Sequence, residues 1–126
     1  MNQHLRPAER AERALADAAA RGADSLDLRG LGLKALPAWP DGLTALRRLD
    51  LAGNRLTALP QALWSCTALQ TLDLSGNRLA ALDPGIGRLS ALRRLDLSEN
   101  RLSSLPAELA ACRRLEELDL YGNAFE

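Results

Sequence analysis

Aromatic and histidine side chains are scarce in this chain of 126 residues. Aromatic residues make up 3% of the sequence although 47% of it is hydrophobic, so the core must consist of aliphatic side chains. His4 is the only histidine, which excludes histidine-based triads and metal clusters. Gly30-Leu31-Gly32 lacks the third glycine of a dinucleotide loop, and no P-loop is present. The sequence predicts a protein that is not an enzyme and that binds no metal or cofactor.

An excess charge of either sign and long apolar runs are also lacking. There are 16 acidic and 16 basic residues, so the total charge does not indicate nucleic-acid binding. No run approaches the ~18 apolar residues of a membrane span. The charged N-terminus has no apolar segment typical of a secretory signal. We expect a cytoplasmic protein without nucleic-acid or membrane partners, or alternatively an effector exported without such a signal.

A 23-residue unit, L-x-x-L-D-L-x-x-N-x-L-x-x-L-P, organises most of the chain. Copies begin at Leu46, Leu69, Leu92 and Leu115, and a degenerate copy covers Ala23–Leu36. Fixed spacing of this kind means that each unit buries its leucines against its neighbours. The L-D-L segment alternates apolar and polar residues, which predicts a short strand, and repetition without hairpin signals favours parallel stacking.

Asparagine, proline and glycine at fixed positions of the repeat predict the turns of each unit. Asparagines follow the strands, and their buried amides should bind free backbone groups; they are Asn54, Asn77, Asn100 and Asn123, with Leu31 in the first copy. The Leu-Pro segment predicts a short helical or 3₁₀ turn on the outer side, and Gly85 and Gly87 predict a looser one. Trp39 and Trp64 lie on these outer segments, where they either pack between turns or form a convex interaction patch.

Residues 6–21 predict an amphipathic helix before the repeats. Leu15 and four alanines form its apolar stripe, namely Ala8, Ala11, Ala18 and Ala19. Pro7 suits the first helical position and Gly22 the residue after the end. The helix either caps the first repeat, as solenoids require, or binds a partner. We expect a single domain with a capping helix at residues 1–22 and a solenoid at residues 23–126.

The two cysteines, Cys66 and Cys112, occupy the same position two units apart. Strands spaced ~4.8 Å apart would separate the two residues by roughly 10 Å. A disulfide needs Cα atoms within about 7 Å, so we interpret both residues as small core fillers.

The repeats resemble the leucine-rich repeat family. The motif L-x-x-L-x-L-x-x-N-x-L is intact at Leu46–Leu56, Leu69–Leu79 and Leu92–Leu102, and Phe125 ends it at Leu115–Phe125. The resemblance implies an α/β repeat: a right-handed solenoid of about five units with a parallel sheet on a concave face that binds proteins. The 23-residue subtype looks like that of intracellular Ras-pathway scaffolds and of many bacterial proteins, including injected effectors, and the Ala/Arg-rich composition favours a bacterial one.

The concave face should carry an unbroken column of aspartates, Asp27, Asp50, Asp73, Asp96 and Asp119. Nearby arginines would balance it. The column is either a solvated structural feature, a surface for a basic protein segment or, least favoured, a metal or catalytic site. We predict that a protein partner contacts Arg48, Asp50, Arg55, Asp73, Arg78, Arg94, Asp96, Ser98, Glu99, Arg101, Glu117, Asp119 and Tyr121.

Three functions are compatible with this pattern. The first is a non-enzymatic recognition module that binds a protein through the concave face. The second is the recognition part of a larger enzyme or injected effector, of the ubiquitin-ligase or repeat-linked GTPase type, whose catalytic part is not in this sequence. The third is a structural repeat protein that self-associates. The last unit has no capping segment, so we expect a monomer or a weak homodimer through that edge.

Overall fold

A computed structural model describes residues 4–126 as one helix followed by a single solenoid. Residues 1–3 of the predicted capping segment lie outside the described residues. The helix and strands are α1 (Pro7–Arg21), β1 (Ser25–Asp27), β2 (Arg48–Asp50), β3 (Thr71–Asp73), β4 (Arg94–Asp96) and β5 (Glu117–Asp119).

The strands form one parallel sheet in the order β1-β2-β3-β4-β5. Each strand pairs with the corresponding strand of the next unit, so Leu49 lies beside Leu26 and Leu72 beside Leu49. In every strand pair the neighbouring residues hold the same position in successive repeats, which confirms the predicted parallel stacking.

The leucines of successive coils form the core. The central strand leucines Leu49, Leu72 and Leu95 are at most 2% exposed. At the C-terminal end Leu118 and Phe125 are each 38% exposed, because no further coil covers them among the described residues. Within the described residues, helix α1 covers the first coil and nothing covers the last.

Buried asparagines join each coil to the one before it. The Asn77 amide donates to the carbonyl oxygens of Leu51 and Leu74, both at 3.0 Å, and its oxygen accepts from the Leu56 N–H at 3.1 Å. The other asparagines repeat this arrangement, which confirms the predicted ladder. In the first coil the backbone N–H groups of Leu31 and Leu33 donate to the side-chain oxygen of Asn54. The second coil thus supplies the hydrogen-bond acceptor for the turn of the first.

Three outer turns are 3₁₀ helices, at Gln61–Ser65, Pro84–Arg88 and Ala107–Ala111. Trp64 is 1% exposed within the first of them, so for this residue the packing interpretation is confirmed and the alternative of a convex patch is wrong. The expectation of a looser second turn was also wrong. A Cβ at Gly85 would lie 2.3 Å from the Trp64 ring, so the glycine permits close packing of the two turns.

Helix α1 covers the first coil with the buried side chains Ala11, Leu15 and Ala18. Ala8 is exposed, so its place in the predicted stripe was wrong. Gly22 ends the helix in the left-handed conformation, and its N–H donates back to the last turn as in a Schellman motif. Among residues 4–126, no helix is long and apolar enough to cross a membrane.

Both cysteines are free and buried, at 0% exposure for Cys66 and 5% for Cys112. Burial raises the pKa of each thiol above its usual value, which disfavours the reactive thiolate. The Cys112 thiol also approaches the Ile86 carbonyl oxygen at 3.2 Å. These contacts fit the core-filling interpretation.

Candidate functional site

The side of the sheet that carries the aspartates is the concave face. The strand register aligns Asp27 with Asp50 and continues the column to Asp119. This confirms the alignment expected from the sequence, because residues of the same phase in parallel strands lie side by side. Two residues earlier in each strand lies a second column of mixed charge. In the strand register Arg48 is the neighbour of Thr71, and Arg94 is the neighbour of Glu117.

Every aspartate of the column accepts a backbone hydrogen bond as its strand ends. The Oδ1 atom binds the N–H of the residue two positions later, at 2.9 to 3.1 Å. At Asp73 and Asp96 the hydroxyls of Ser75 and Ser98 also donate to Oδ1, both at 2.6 Å. The aspartates therefore fix the turn after each strand, which favours a structural role for Oδ1 and leaves Oδ2 on the open side.

Arginine balances the column less than expected. Among the described residues the ion pairs to the column come from Arg29, which lies 3.3 Å from Asp27 and 3.8 Å from Asp50. Arg94 pairs instead with Glu117 at 3.5 Å. Sequence reasoning missed Arg29, although its place two residues after Asp27 puts it on the same face. These pairs are largely exposed and each contributes little to stability.

Asp50 is the ionisable group of the column whose environment opposes its charge. Partial burial raises the pKa of Asp50 above 3.8, and the neighbouring carboxylates Asp73 and Asp27 add to this, while the Ala52 N–H and Arg29 oppose it. A carboxyl with a raised folded pKa contributes stability that is complete below its unfolded pKa and is lost as the pH rises through the folded value.

Asp50→Asn should therefore stabilise the protein at neutral pH, because the amide oxygen can still accept from the Ala52 N–H. The gain should shrink as the pH is lowered into the range in which the carboxyl also loses its charge. Thermal melts of both proteins between pH 3.5 and 7.5 measure this. A gain that does not depend on pH would contradict the explanation.

An arginine follows the asparagine in each of the three middle coils. The N–H groups of Arg55, Arg78 and Arg101 donate to the carbonyls of the preceding coil at 2.7 to 2.9 Å, which places the three residues one coil apart. All three side chains are exposed, and within residues 4–126 no ion pair holds them. The structure thus brings these three predicted basic residues into one row, one residue per coil.

Two shallow depressions lie on the concave face. One of about 590 Å³ crosses β3 to β5 and brings together five predicted residues, Asp73, Arg94, Asp96, Glu117 and Asp119, with Thr71 and Glu116 in addition. The other, of about 280 Å³, crosses β1 to β3. The row of arginines and Tyr121 lie outside both. Neither depression is enclosed, so neither offers the water-excluded cleft of acid–base catalysis.

The C-terminal end of the face carries Tyr121, which at 75% is the most exposed large hydrophobic side chain among the described residues. Its carbonyl accepts the Glu99 N–H at 2.7 Å, so the two residues belong to adjoining coils. Glu99 has φ 55, the one positive φ outside glycine among the described residues. Across the same part of the chain no group of three or more His, Cys, Asp or Glu side chains is arranged to hold a metal ion.

Comparison with known proteins matches this geometry to a family. The leucine rich repeat profile matches residues 21–79 and 69–125. Three similar solved structures are a leucine-rich repeat protein of Leptospira interrogans (33% identity, TM-score 0.64), the functional domain of InlJ from Listeria monocytogenes (27%, 0.68) and the plant peptide hormone receptor RGFR1 in complex with RGF2 (38%, 0.71).

The alignments cover 88%, 79% and 82% of this chain, but only 35%, 21% and 17% of those three chains, respectively. The chain thus spans about a third or less of the length of each. No curated protein matches the sequence. The profile covers nearly all of the solenoid, and the fold of the similar structures agrees with it. The chain therefore belongs to the leucine-rich repeat family.

Proposed function

We propose that this chain is a non-enzymatic recognition module that binds a protein partner through its concave face. The observation that carries the proposal is the register of the sheet, which aligns an acidic column on one open surface; the arginines, which recur at one position of successive coils, support it. Domains of this family are typically interaction modules rather than enzymes. A similar structure is that of a plant peptide hormone receptor in complex with RGF2, which supports the binding of a peptide or protein.

Charge complementarity defines the kind of partner. The arginines of the row form no ion pair within the described chain, and three of the five aspartates, Asp73, Asp96 and Asp119, keep Oδ2 clear of hydrogen bonds and salt bridges. A partner segment with alternating acidic and basic side chains could pair with both rows at once. Such pairs would steer the approach and select the partner more than they add affinity.

The area of the face limits the affinity. Five strands at ~4.8 Å spacing give a width of roughly 20 Å, and a similar height gives about 400 Å². A standard interface buries about 800 Å² on each partner. We infer that side chains at the edge of the sheet, such as Tyr121 and Arg101, contribute to the contact.

Self-association through β5 is the weaker alternative. Antiparallel pairing of two copies about Leu118 would place Glu117 of each copy opposite Asp119 of the other. Like charges directly opposite each other destabilise a strand pair. The first coil offers no alternative edge, because α1 covers it. We therefore propose that the chain acts as a monomer.

Partner capture should depend on the row of arginines. We expect Arg78→Glu/Arg101→Glu to reduce recovery of the bound protein at least about tenfold, since the reversed charges repel the acidic side chains of the partner. Affinity capture with quantitative mass spectrometry compares this variant with wild type. Arg88→Glu/Arg113→Glu is the matched control, because it makes the same charge change at exposed positions outside the row. Equal recovery by both variants, with unchanged circular dichroism spectra, would refute the concave-face assignment.

A further inference from the structure

Glu99 occupies a backbone position that the other coils fill with glycine. Gly30, Gly53, Gly76 and Gly122 have φ between 66 and 74, and Glu99 has φ 55. The equivalence is also seen in the hydrogen bonds, since Gly76 donates its N–H to Ser98 as Glu99 does to Tyr121. A left-handed conformation is unfavourable for any residue with a Cβ. Glutamate at this position therefore destabilises its own turn.

No contact within the described chain offsets this cost. Among residues 4–126, no hydrogen bond or ion pair holds the Glu99 carboxylate. The carboxylate lies over Gly122, where its atoms are 2.7 to 2.9 Å from the point that a Cβ would occupy. It thus fills the space that the missing side chain of Gly122 leaves, next in sequence to the exposed Tyr121.

We propose that Glu99 and Tyr121 together bind a basic side chain, lysine or arginine, of the protein partner. The carboxylate would accept its N–H groups, and the exposed ring would bind the cation through its face. Asp119 lies two residues before Tyr121 and adds negative potential, which excludes an acidic side chain. Among residues 4–126 no group of three or more His, Cys, Asp or Glu side chains is arranged to hold a metal ion, which disfavours a divalent cation at this place. This assignment rests on the proposed concave-face recognition.

The stability of variants at position 99 tests whether Glu99 is kept for binding. We expect Glu99→Gly to raise the melting temperature by about 3–6 °C, because glycine adopts this φ without strain. Glu99→Ala should give no such rise, since it keeps the Cβ. Gly76→Glu, the reverse change one coil earlier, should lower the melting temperature. An unchanged or lower melting temperature for Glu99→Gly would show that Glu99 stabilises the fold, and would overturn the proposal.

A peptide titration tests the ligand. The probe is acetyl-Ala-Arg-Ala-amide added to ¹⁵N-labelled protein, and the control is the same peptide with neutral citrulline. The backbone amide chemical shifts of Tyr121 and Gly122 should change at least about threefold more per added peptide with the arginine peptide than with the citrulline peptide. Glu99→Gln and Tyr121→Ala should each remove this preference. Equal slopes for both peptides would overturn the assignment.

The titration separates this inference from the proposed function, because it needs no identified partner. Loss of the arginine preference, with partner capture still sensitive to Arg78 and Arg101, would remove the assignment of Glu99 and Tyr121 alone. Insensitive partner capture with a normal titration would remove the concave-face proposal and leave the cation-binding pair.

Discussion

Replacing Trp64 by alanine should lower the free energy of unfolding by about 3–5 kcal/mol, the usual range for a fully buried tryptophan. The side chain is 1% exposed and fills the outer part of the second coil. The aliphatic neighbours cannot close a gap of this size without moving the next turn. Trp64→Phe should cost less, because it leaves a smaller cavity and removes an indole N–H that has no partner among the described residues.

The Trp64 ring and Gly85 should be energetically coupled. A Cβ at Gly85 would lie 2.3 to 2.7 Å from three ring atoms, so Gly85→Ala should cost about 1–3 kcal/mol in the wild-type background. In the Trp64→Ala background the ring is absent, and the same change should cost at least about 1 kcal/mol less. Urea unfolding followed by far-ultraviolet circular dichroism gives all four free energies.

Gly87→Ala is the matched control for this cycle. A Cβ at Gly87 would lie 2.7 Å from the Glu108 carbonyl oxygen of the following coil and not against the ring. Its cost should therefore be the same with and without Trp64. Additive effects of Trp64→Ala and Gly85→Ala would contradict the explanation that ring contact requires glycine at position 85.

The Gly85 contact also shows where sequence reasoning was incomplete. The 23-residue period predicted the strands, their parallel register and the asparagine ladder, because each depends on residues that recur at the same phase. The contact between Trp64 and Gly85 joins two different coils and occurs once. Its two residues lie in separate units, so no pattern within a unit reveals that they meet. The Pro84-Gly85 segment was therefore predicted to be loose when it is tightly packed.

The concave face was predictable in outline but not in its contacts. Alternation within L-D-L placed Asp50 and Asp73 side by side, as the structure confirms. The backbone hydrogen bond of each aspartate depends on the turn conformation, which spacing alone does not specify. The sequence does show Glu99 as the exception in a column of glycines. Only the backbone dihedral shows that this exception has an energetic cost.

Replacing Asn77 by leucine should lower the free energy of unfolding by about 3–4 kcal/mol although the side-chain volume barely changes. Leucine would leave the Leu56 N–H without a partner inside the solenoid, and it would remove one of the two amide donors to the Leu51 carbonyl (the other is Asn54) and to the Leu74 carbonyl (the other is Asn100). A buried N–H left unpaired costs about 1–3 kcal/mol, and each of the two lost hydrogen bonds to the carbonyls costs about 0.5–1.5 kcal/mol more. A view based on apolar area alone predicts the opposite sign, because a buried amide would be exchanged for a hydrocarbon.

The matched control is Asn123→Leu at the open end of the solenoid. Asn123 makes equivalent bonds to the Leu102 N–H and the Leu97 carbonyl, but it is only half-buried, so water can replace the amide. We expect its cost to be about 1–2 kcal/mol, well below that of Asn77. Leu31 is tolerated at this position for a related reason, since no coil precedes it to present an N–H. Equal costs at positions 77 and 123 in urea unfolding would show that the side chain, and not the enclosed backbone groups, determines the effect.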